Sequence, residues 1–506
     1  MGETKAFLVG VSDYSEIEEK NLPFCKNDIE AVETALIEGL KVKRKNIRKL
    51  GTLEKVTKQE LFELLNKFIE SIYQEDVFIF YFTGHGANFL KDHYLVFSDG
   101  ILKTQCIIDA LNRIVVKGKI ILLDCCMSGN FEVVGTASMD DTMTVDDFWG
   151  RGHVVIASSS AEQFSYPHID KPISLFTSFL CEALVDKYLI KNGNKSLYDI
   201  KRLLFLYLDI WNKRHPDRQQ NPIYRADLGG TILFPVEEYF SYEIKQIYLE
   251  TSKYIIYSVL PMHTASVKRY SVQVILKEPF SFDEIAVINY EIIEKVKNVE
   301  VYENSKSEIK WTGRSANIIF CYYGRDESDI INANYLCHTT WVDDTQNKSH
   351  WYGLSNHCEV IGNIHFSIYD YYPMLRIFNQ ENTGEKEQLV NQTKKIMSEL
   401  IELAEKTIAL YNELLNGTMS EQEVIVAMKP IIPLITREYF ALGDLEIPPK
   451  EIKGWCQRCS NLAATIHDFT LFYNEQYVSS RTPQNRRDCM NITVKRYYEE
   501  LEKLRS

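Results

Sequence analysis

Asp76–Gly86 (DVFIFYFTGHG) and Lys119–Gly129 (KIILLDCCMSG) decide how this chain is read. Each is an apolar run that ends in a short group of reactive and glycine residues. Successive strand side chains leave opposite faces, so a run apolar at every position suits a strand covered on both sides. In an open sheet of such strands, ligand and catalytic groups collect at the carboxyl ends. His85 and Cys126 stand at two such ends. The glycines around His85, Gly84 and Gly86, let the backbone turn sharply and approach a substrate. Backbone amides beside Gly86 and Gly129 are candidates to hold an oxyanion. A thiol partnered by an imidazole is the nucleophile–base arrangement of acyl transfer. Alone, a histidine or cysteine after a strand is more often a packing residue. Two of them at successive strand ends, each set in glycine, point to chemistry.

Working outward, the first ~235 residues alternate strand and helix patterns. Lys5–Val11, Tyr94–Phe97, His153–Ala157 and Thr231–Phe234 read as further strands. Asn27–Glu38, Lys58–Ile72, Thr104–Ile114, Leu175–Asp186 and Leu197–Lys213 carry apolar residues at helical spacing. The order predicts an α/β sandwich with a mostly parallel sheet over residues 1–236. Residues 237–382 are rich in aromatic and β-branched runs and read as a β-rich or α+β domain. Residues 383–506 read as a helical domain, punctuated by Pro430, Pro433, Pro448, Pro449 and Pro483.

Composition narrows the function classes. The chain has 506 residues, 57 basic against 70 acidic, and a formal net charge of −13. That argues against a broad nucleic-acid surface. No apolar run has the length of a membrane span, and the eleven cysteines are scattered without a secretory leader. A reducing, cytoplasmic setting is the expectation, with most thiols small and buried.

The chain resembles the caspase–metacaspase clan of cysteine peptidases, particularly its prokaryotic members, over about residues 4–235. The resemblance rests on Phe7–Val11, Cys25-Lys26-Asn27-Asp28, Thr83-Gly84-His85-Gly86, Asp124-Cys125-Cys126-Met127-Ser128-Gly129, Ala157–Ala161 and Gln220-Asn221-Pro222. His85 precedes Cys126 by 41 positions (126 − 85), near the roughly 50 of caspase-type enzymes. It implies a caspase-like α/β/α sandwich and a dyad of Cys126 as nucleophile and His85 as base, with no cofactor or metal. By strand alternation Cys125 points away from Cys126. The same resemblance places Asp28 and Asp124 around a basic P1 side chain, with Ser158 lining that pocket, so cleavage after Arg or Lys is expected. Met127 stands where metacaspases often carry histidine, outside the dyad.

Other signals are weaker. Thr136–Gly150 reads as an acidic loop; Asp140-Asp141 and Asp146-Asp147 match no calcium loop, and Arg151 or Lys171 would offer self-cleavage sites. Cys456-x-x-Cys459 with His467, Cys337-His338 and His357-Cys358 lack regular ligand spacing. Trp341–Tyr352, with His350, Arg314 and Arg325, has the aromatic and basic content to hold a nucleotide. Residues 237–506 are expected to gate the peptidase by binding an activator protein or a nucleotide second messenger, in antiviral defence or regulated cell death. A catalytically silent scaffold and a non-peptidase thiol hydrolase are the competing readings.

Overall fold

The structure is a computed structural model that describes residues 2–17, 19–89, 92–125, 153–159, 165–227, 231–236, 244, 247–353 and 358–505. The first part runs β1 (Thr4–Gly10), α1 (Cys25–Leu40), β2 (Ile47–Leu50), α2 (Lys58–Ile69), β3 (Val77–Gly84), β4 (Gly86–Phe89), β5 (Asp92–Phe97), β6 (Gly100–Lys103), α3 (Thr104–Asn112), β7 (Gly118–Cys125) and β8 (His153–Ala157). It continues through α4 (Leu175–Val185), β9 (Ile190–Lys191), β10 (Asn194–Ser196), α5 (Leu197–Arg214), β11 (Ile223–Asp227) and β12 (Leu233–Pro235).

Six strands form the central sheet in the order β11-β8-β7-β3-β1-β2. The pairs β1–β2, β1–β3, β3–β7 and β7–β8 are parallel, and β11 closes the far edge antiparallel to β8. The order reverses at β1 and β3, which makes their carboxyl ends the switch point where such sheets open a crevice. Alternation sorts the strand residues onto two cores. Ile79 and Tyr81 of β3 and Ile120 and Leu122 of β7 join the cluster under α1, α4 and α5. Phe78, Phe80, Phe82, Ile121, Leu123 and Cys125 join the cluster under α2 and α3. Strands apolar at every position are thus covered on both faces. Helix α1 lies close to α4 because Gly39 has no side chain: a Cβ there would sit 2.1 Å from the Leu184 carbonyl oxygen.

The second part carries a mixed seven-stranded sheet in the order β13-β14-β15-β16-β17-β19-β18. Its strands are β13 (Leu249–Glu250), β14 (Tyr254–Pro261), β15 (Arg269–Leu276), β16 (Ile318–Gly324), β17 (Cys337–Val342), β18 (Cys358–Ile361) and β19 (Ile364–Ile368). Helices α6 (Phe282–Val296), α7 (Ser305–Trp311) and α8 (Glu327–Ile331) accompany it, and α9 (Tyr372–Glu381) follows in the chain. One buried apolar cluster runs from Ala6 in β1 through α4 and α5 to Val272, Ile292 and Tyr372. Ion pairs brace the same junction: Arg202 to Glu284 at 2.6 Å, Lys213 to Glu359 at 2.7 Å and Arg214 to Asp370 at 2.6 Å. Arg325, just past β16, reaches Asp186 at the end of α4 at 2.6 Å, and both side chains are buried. Losing one partner of a buried pair strands the other charge. Arg325→Met is therefore expected to cost about 3–5 kcal/mol in urea unfolding, partly recovered by adding Asp186→Leu.

Residues 1–373 make one compact unit and residues 374–506 a second. The second contains α10 (Lys386–Leu415), α11 (Glu421–Met428), α12 (Ile432–Gly443), α13 (Lys450–Asp468) and α14 (Pro483–Arg505). Their apolar stripes meet in a core around Leu400, Ile435, Leu462, Ile466 and Tyr497. The helical segment 421–439, which Pro430 was expected to punctuate, is broken there, because proline cannot continue the hydrogen-bond ladder. Among the described residues, no helix is long and apolar enough to cross a membrane.

Candidate active site

His85 follows directly on β3, between Gly84 and the first residue of β4. Its backbone N–H donates to the Tyr14 hydroxyl at 2.9 Å, and its ring lies 4.7 Å from the Tyr14 ring. Gly84 makes room for that contact, since a Cβ there would come within 2.7 Å of the same hydroxyl. On the ring, Nε2 lies 2.7 Å from the Lys20 carbonyl oxygen. A carbonyl only accepts, so Nε2 carries the proton and Nδ1 keeps its lone pair. The Lys20 backbone carbonyl thus fixes the tautomer and ring orientation of His85. Nothing in the sequence marks Tyr14 or Lys20 for this work, because one acts through a ring hydroxyl and the other through its main chain.

On the adjacent strand, Asp124 and Cys125 end β7 in parallel register with Thr83 and Gly84. Cys125 is fully buried among the aromatic residues of the α2–α3 side. Cys126, Asp140, Asp141, Asp146, Asp147, Arg151 and His357 lie outside the described residues. Gly86 opens β4 opposite Leu95.

Asp124 leaves β7 on the α1–α4 side and meets Asp28 from the first turn of α1. Both are buried, at 3% and 0% exposure. Asp28 does not cap its own helix, whose N-cap is Phe24 without a side-chain bond. Its carboxylate instead accepts from Thr83 Oγ1 at 2.8 Å and from the Ser174 backbone N–H at 2.7 Å. Asp124 Oδ2 accepts from Ser174 Oγ and from Thr177 Oγ1, the latter at 2.7 Å. The Thr177 hydroxyl in turn meets Tyr81 Oη at 2.5 Å. Ser174 is the N-cap of α4, so one helix start ties both carboxylates together. Ser158 is buried beside them, yet its hydroxyl bonds to the Cys125 carbonyl at 3.3 Å and to Ser165 Oγ at 2.5 Å. Asp124 Oδ1 accepts no hydrogen bond among the described residues. Ser174 and Thr177 were beyond sequence reasoning, since a serine and a threonine opening a helix are ordinary caps.

No Lys, Arg or His among the described residues pairs with either carboxylate. Burial raises the pKa of Asp28 well above the ordinary range, and the neighbouring Asp124 charge adds to it. Burial raises Asp124 as well, against the hydrogen bonds from Ser174 and Thr177. Two buried carboxyls side by side, each holding its proton more tightly than usual, would ionise together only with a cation arriving between them.

A mostly parallel sheet covered by helices on both faces is the arrangement of a caspase-like α/β/α sandwich. Residues 3–227 match the caspase domain family, Peptidase_C14, and this part of the chain is a caspase-like domain. Among solved structures, that of caspase-1 from Spodoptera frugiperda matches with a TM-score of 0.34 and 15% identity, over 47% of this chain and 92% of that one. No curated protein matches the chain.

The remaining sequence candidates fall elsewhere. Arg325 is taken up by Asp186, and Arg314 lies over Trp311. His338 bonds to the Tyr369 hydroxyl at 2.7 Å. Lys171 lies 3.5 Å from Glu182. Cys459 is buried, which pushes its thiol up to about 11, and His467 stacks on Tyr439 at 4.4 Å. Among the described residues, no group of three or more His, Cys, Asp or Glu side chains is placed to hold a metal ion.

Proposed function

We propose that this chain is a cysteine endopeptidase that cleaves proteins after Arg or Lys. The observation that carries the specificity is the buried Asp28–Asp124 pair, two carboxyls with no counter-charge among the described residues. A guanidinium or ammonium entering there gains charge-assisted hydrogen bonds and relieves the repulsion between them. What supports the dyad is the strand register: Thr83 faces Asp124 and Gly84 faces Cys125, and His85 and Cys126 are the residues that follow them in the sequence.

In the proposed reaction, Nδ1 of His85 takes the thiol proton of Cys126, and the thiolate attacks the carbonyl carbon of the scissile bond. The Gly86 amide stabilises the developing oxyanion. The imidazolium then protonates the leaving amine, and a water activated by the same nitrogen hydrolyses the acyl-enzyme. Residues 237–506 are proposed to restrain this activity until an activator protein or a nucleotide second messenger binds, in cytoplasmic antiviral defence or regulated cell death.

The test offers short Arg-, Lys- and Asp-P1 peptides to the wild type and to Cys126→Ala. With candidate activators present, cleavage of Arg- and Lys-P1 peptides by the wild type and not by Cys126→Ala is expected, whereas Asp-P1 preference would overturn the acidic-pocket reading. The control reading is tested by removing 374–506. Residues 237–373 share the apolar cluster of the caspase domain, so cutting at 236 would expose core and confound the result. Unchanged basal activity and unchanged response to effectors would remove the control proposed for that unit.

A further inference from the structure

Helix α5 presents one face to the beginning of α6, and a cavity of about 540 Å³ lies between them, inside the first unit. Its walls include Tyr198, Lys201, Arg202, Phe205 and Asp209 from α5 and Glu284 from α6, with the Asn221 amide from the following loop; burial makes the Asp209 carboxyl hold its proton more tightly than usual. The two basic residues differ in their charge balance. Arg202 is neutralised by Glu278 at 3.4 Å and Glu284 at 2.6 Å. Lys201 has no carboxylate within 4.0 Å among the described residues. Its ammonium instead lies over three rings, at 4.9 Å from Tyr198, 5.4 Å from Phe205 and 4.7 Å from Tyr224. Partial burial and the neighbouring Arg202 charge lower its pKa, so an arriving anion would favour its charged form. One unneutralised cation, ring faces around it and a side-chain amide across the cavity form a mixed surface. Such a surface fits a flat ring carrying a single anionic group.

We infer that this cavity binds a nucleoside monophosphate, with the phosphate on Lys201 and the base against Tyr198 and Phe205. Lys201, the basic residue of the lining that forms no ion pair among the described residues, matches one phosphate. The cavity is also within the few hundred cubic ångströms such ligands occupy. The site rests on the proposed ligand control for its purpose, while its test does not depend on peptide cleavage.

The test is calorimetric titration of the full chain, in wild-type and Cys126→Ala backgrounds, with AMP, GMP, CMP and UMP. Adenosine and inorganic phosphate serve as partial probes. At least one monophosphate is expected to bind, about tenfold or more tighter than either partial probe. Lys201→Met should weaken the monophosphate about tenfold and leave adenosine unchanged, while Tyr198→Ala should weaken both. Tyr198 is 47% exposed, and unfolding curves of both variants confirm that the fold is kept. No binding of any monophosphate at about 1 mM would overturn the inference. So would affinities untouched by Lys201→Met, or phosphate alone binding as tightly as a nucleotide. Because binding is read in the Cys126→Ala chain too, a failed peptidase reading and a failed ligand site give different results.

Discussion

Asp124→Asn is expected to lower kcat/KM for Arg-P1 peptides by about 10²–10³-fold while making the folded chain more stable. The activity loss follows from removing one of the two carboxylates that would hold the P1 cation; breaking a buried charge pair typically costs about 3–5 kcal/mol. The stability gain has the same origin. Asn is nearly isosteric with Asp, and its carbonyl oxygen can still accept from Ser174 and Thr177 as Asp124 Oδ2 does. Its amide replaces Oδ1, which accepts no hydrogen bond among the described residues, and the Ser158 hydroxyl is near enough to the Asp124 carboxyl to bond to it. What disappears is a buried charge beside another. A rise in Tm of about 2 °C is expected near neutral pH, read by thermal unfolding of both chains.

The pH dependence gives this prediction a second readout. Both carboxyls are raised in the folded state, so between their unfolded value near 3.8 and the raised values the folded chain holds more protons than the unfolded one. Stability contributed by such groups is greatest at acid pH and falls as pH climbs through the raised pKa values. The Asn variant lacks part of this fall. Its Tm advantage should therefore grow from acid to neutral pH and vanish below about pH 4. Affinity for a basic P1 group runs the other way, weakening in the wild type as the pair takes up protons. A Tm advantage that stayed constant across this range would place the stabilisation in packing rather than charge.

The parallel core of the caspase domain was legible because its strands are apolar at every position. Lys119–Leu123 was expected and Gly118–Cys125 is found; His153–Ala157 was expected and found unchanged. The edges were not legible. Ile47–Leu50 (IRKL) and Ile223–Asp227 (IYRAD) are short strands with partly exposed, mixed side chains, and nothing in such a pattern distinguishes strand from loop. The break between α11 and α12 was written in Pro430, whereas the close packing of the mixed sheet on α5 was not. That contact depends on ion pairs such as Lys213–Glu359, whose partners are 146 positions apart. At the site, His85, Asp28 and Asp124 stand within recognisable motifs. Their positioning partners Tyr14, Ser174 and Thr177 are ordinary residue types brought in from other elements, and they become visible only in three dimensions.

Cys126→Ala is expected to abolish peptide cleavage, and His85→Ala to lower kcat/KM by about 10³-fold or more. The double variant should be no worse than Cys126→Ala alone, because a nucleophile and its base act as one unit. Additive losses would mean that His85 works on something other than the Cys126 thiol. An arginyl chloromethyl ketone provides a direct assay: it should label the wild type stoichiometrically and leave Cys126→Ala unlabelled. The other thiols make this label selective. Burial raises the pKa of Cys181, Cys337 and Cys321, the last to about 12, so few are ionised near neutral pH. Cys106 is exposed and will react slowly with a plain alkylating agent. Only a thiol beside the acidic pair gains from the arginine of the reagent, so the label should reach Cys126 before Cys106. Asp124→Asn should slow that labelling while leaving alkylation by iodoacetamide unchanged. That difference separates a defect in P1 recognition from one in the nucleophile. Arginine-dependent labelling that persists in Cys126→Ala would assign the nucleophile to another cysteine, and equal rates with and without the arginine would remove the pocket from substrate recognition.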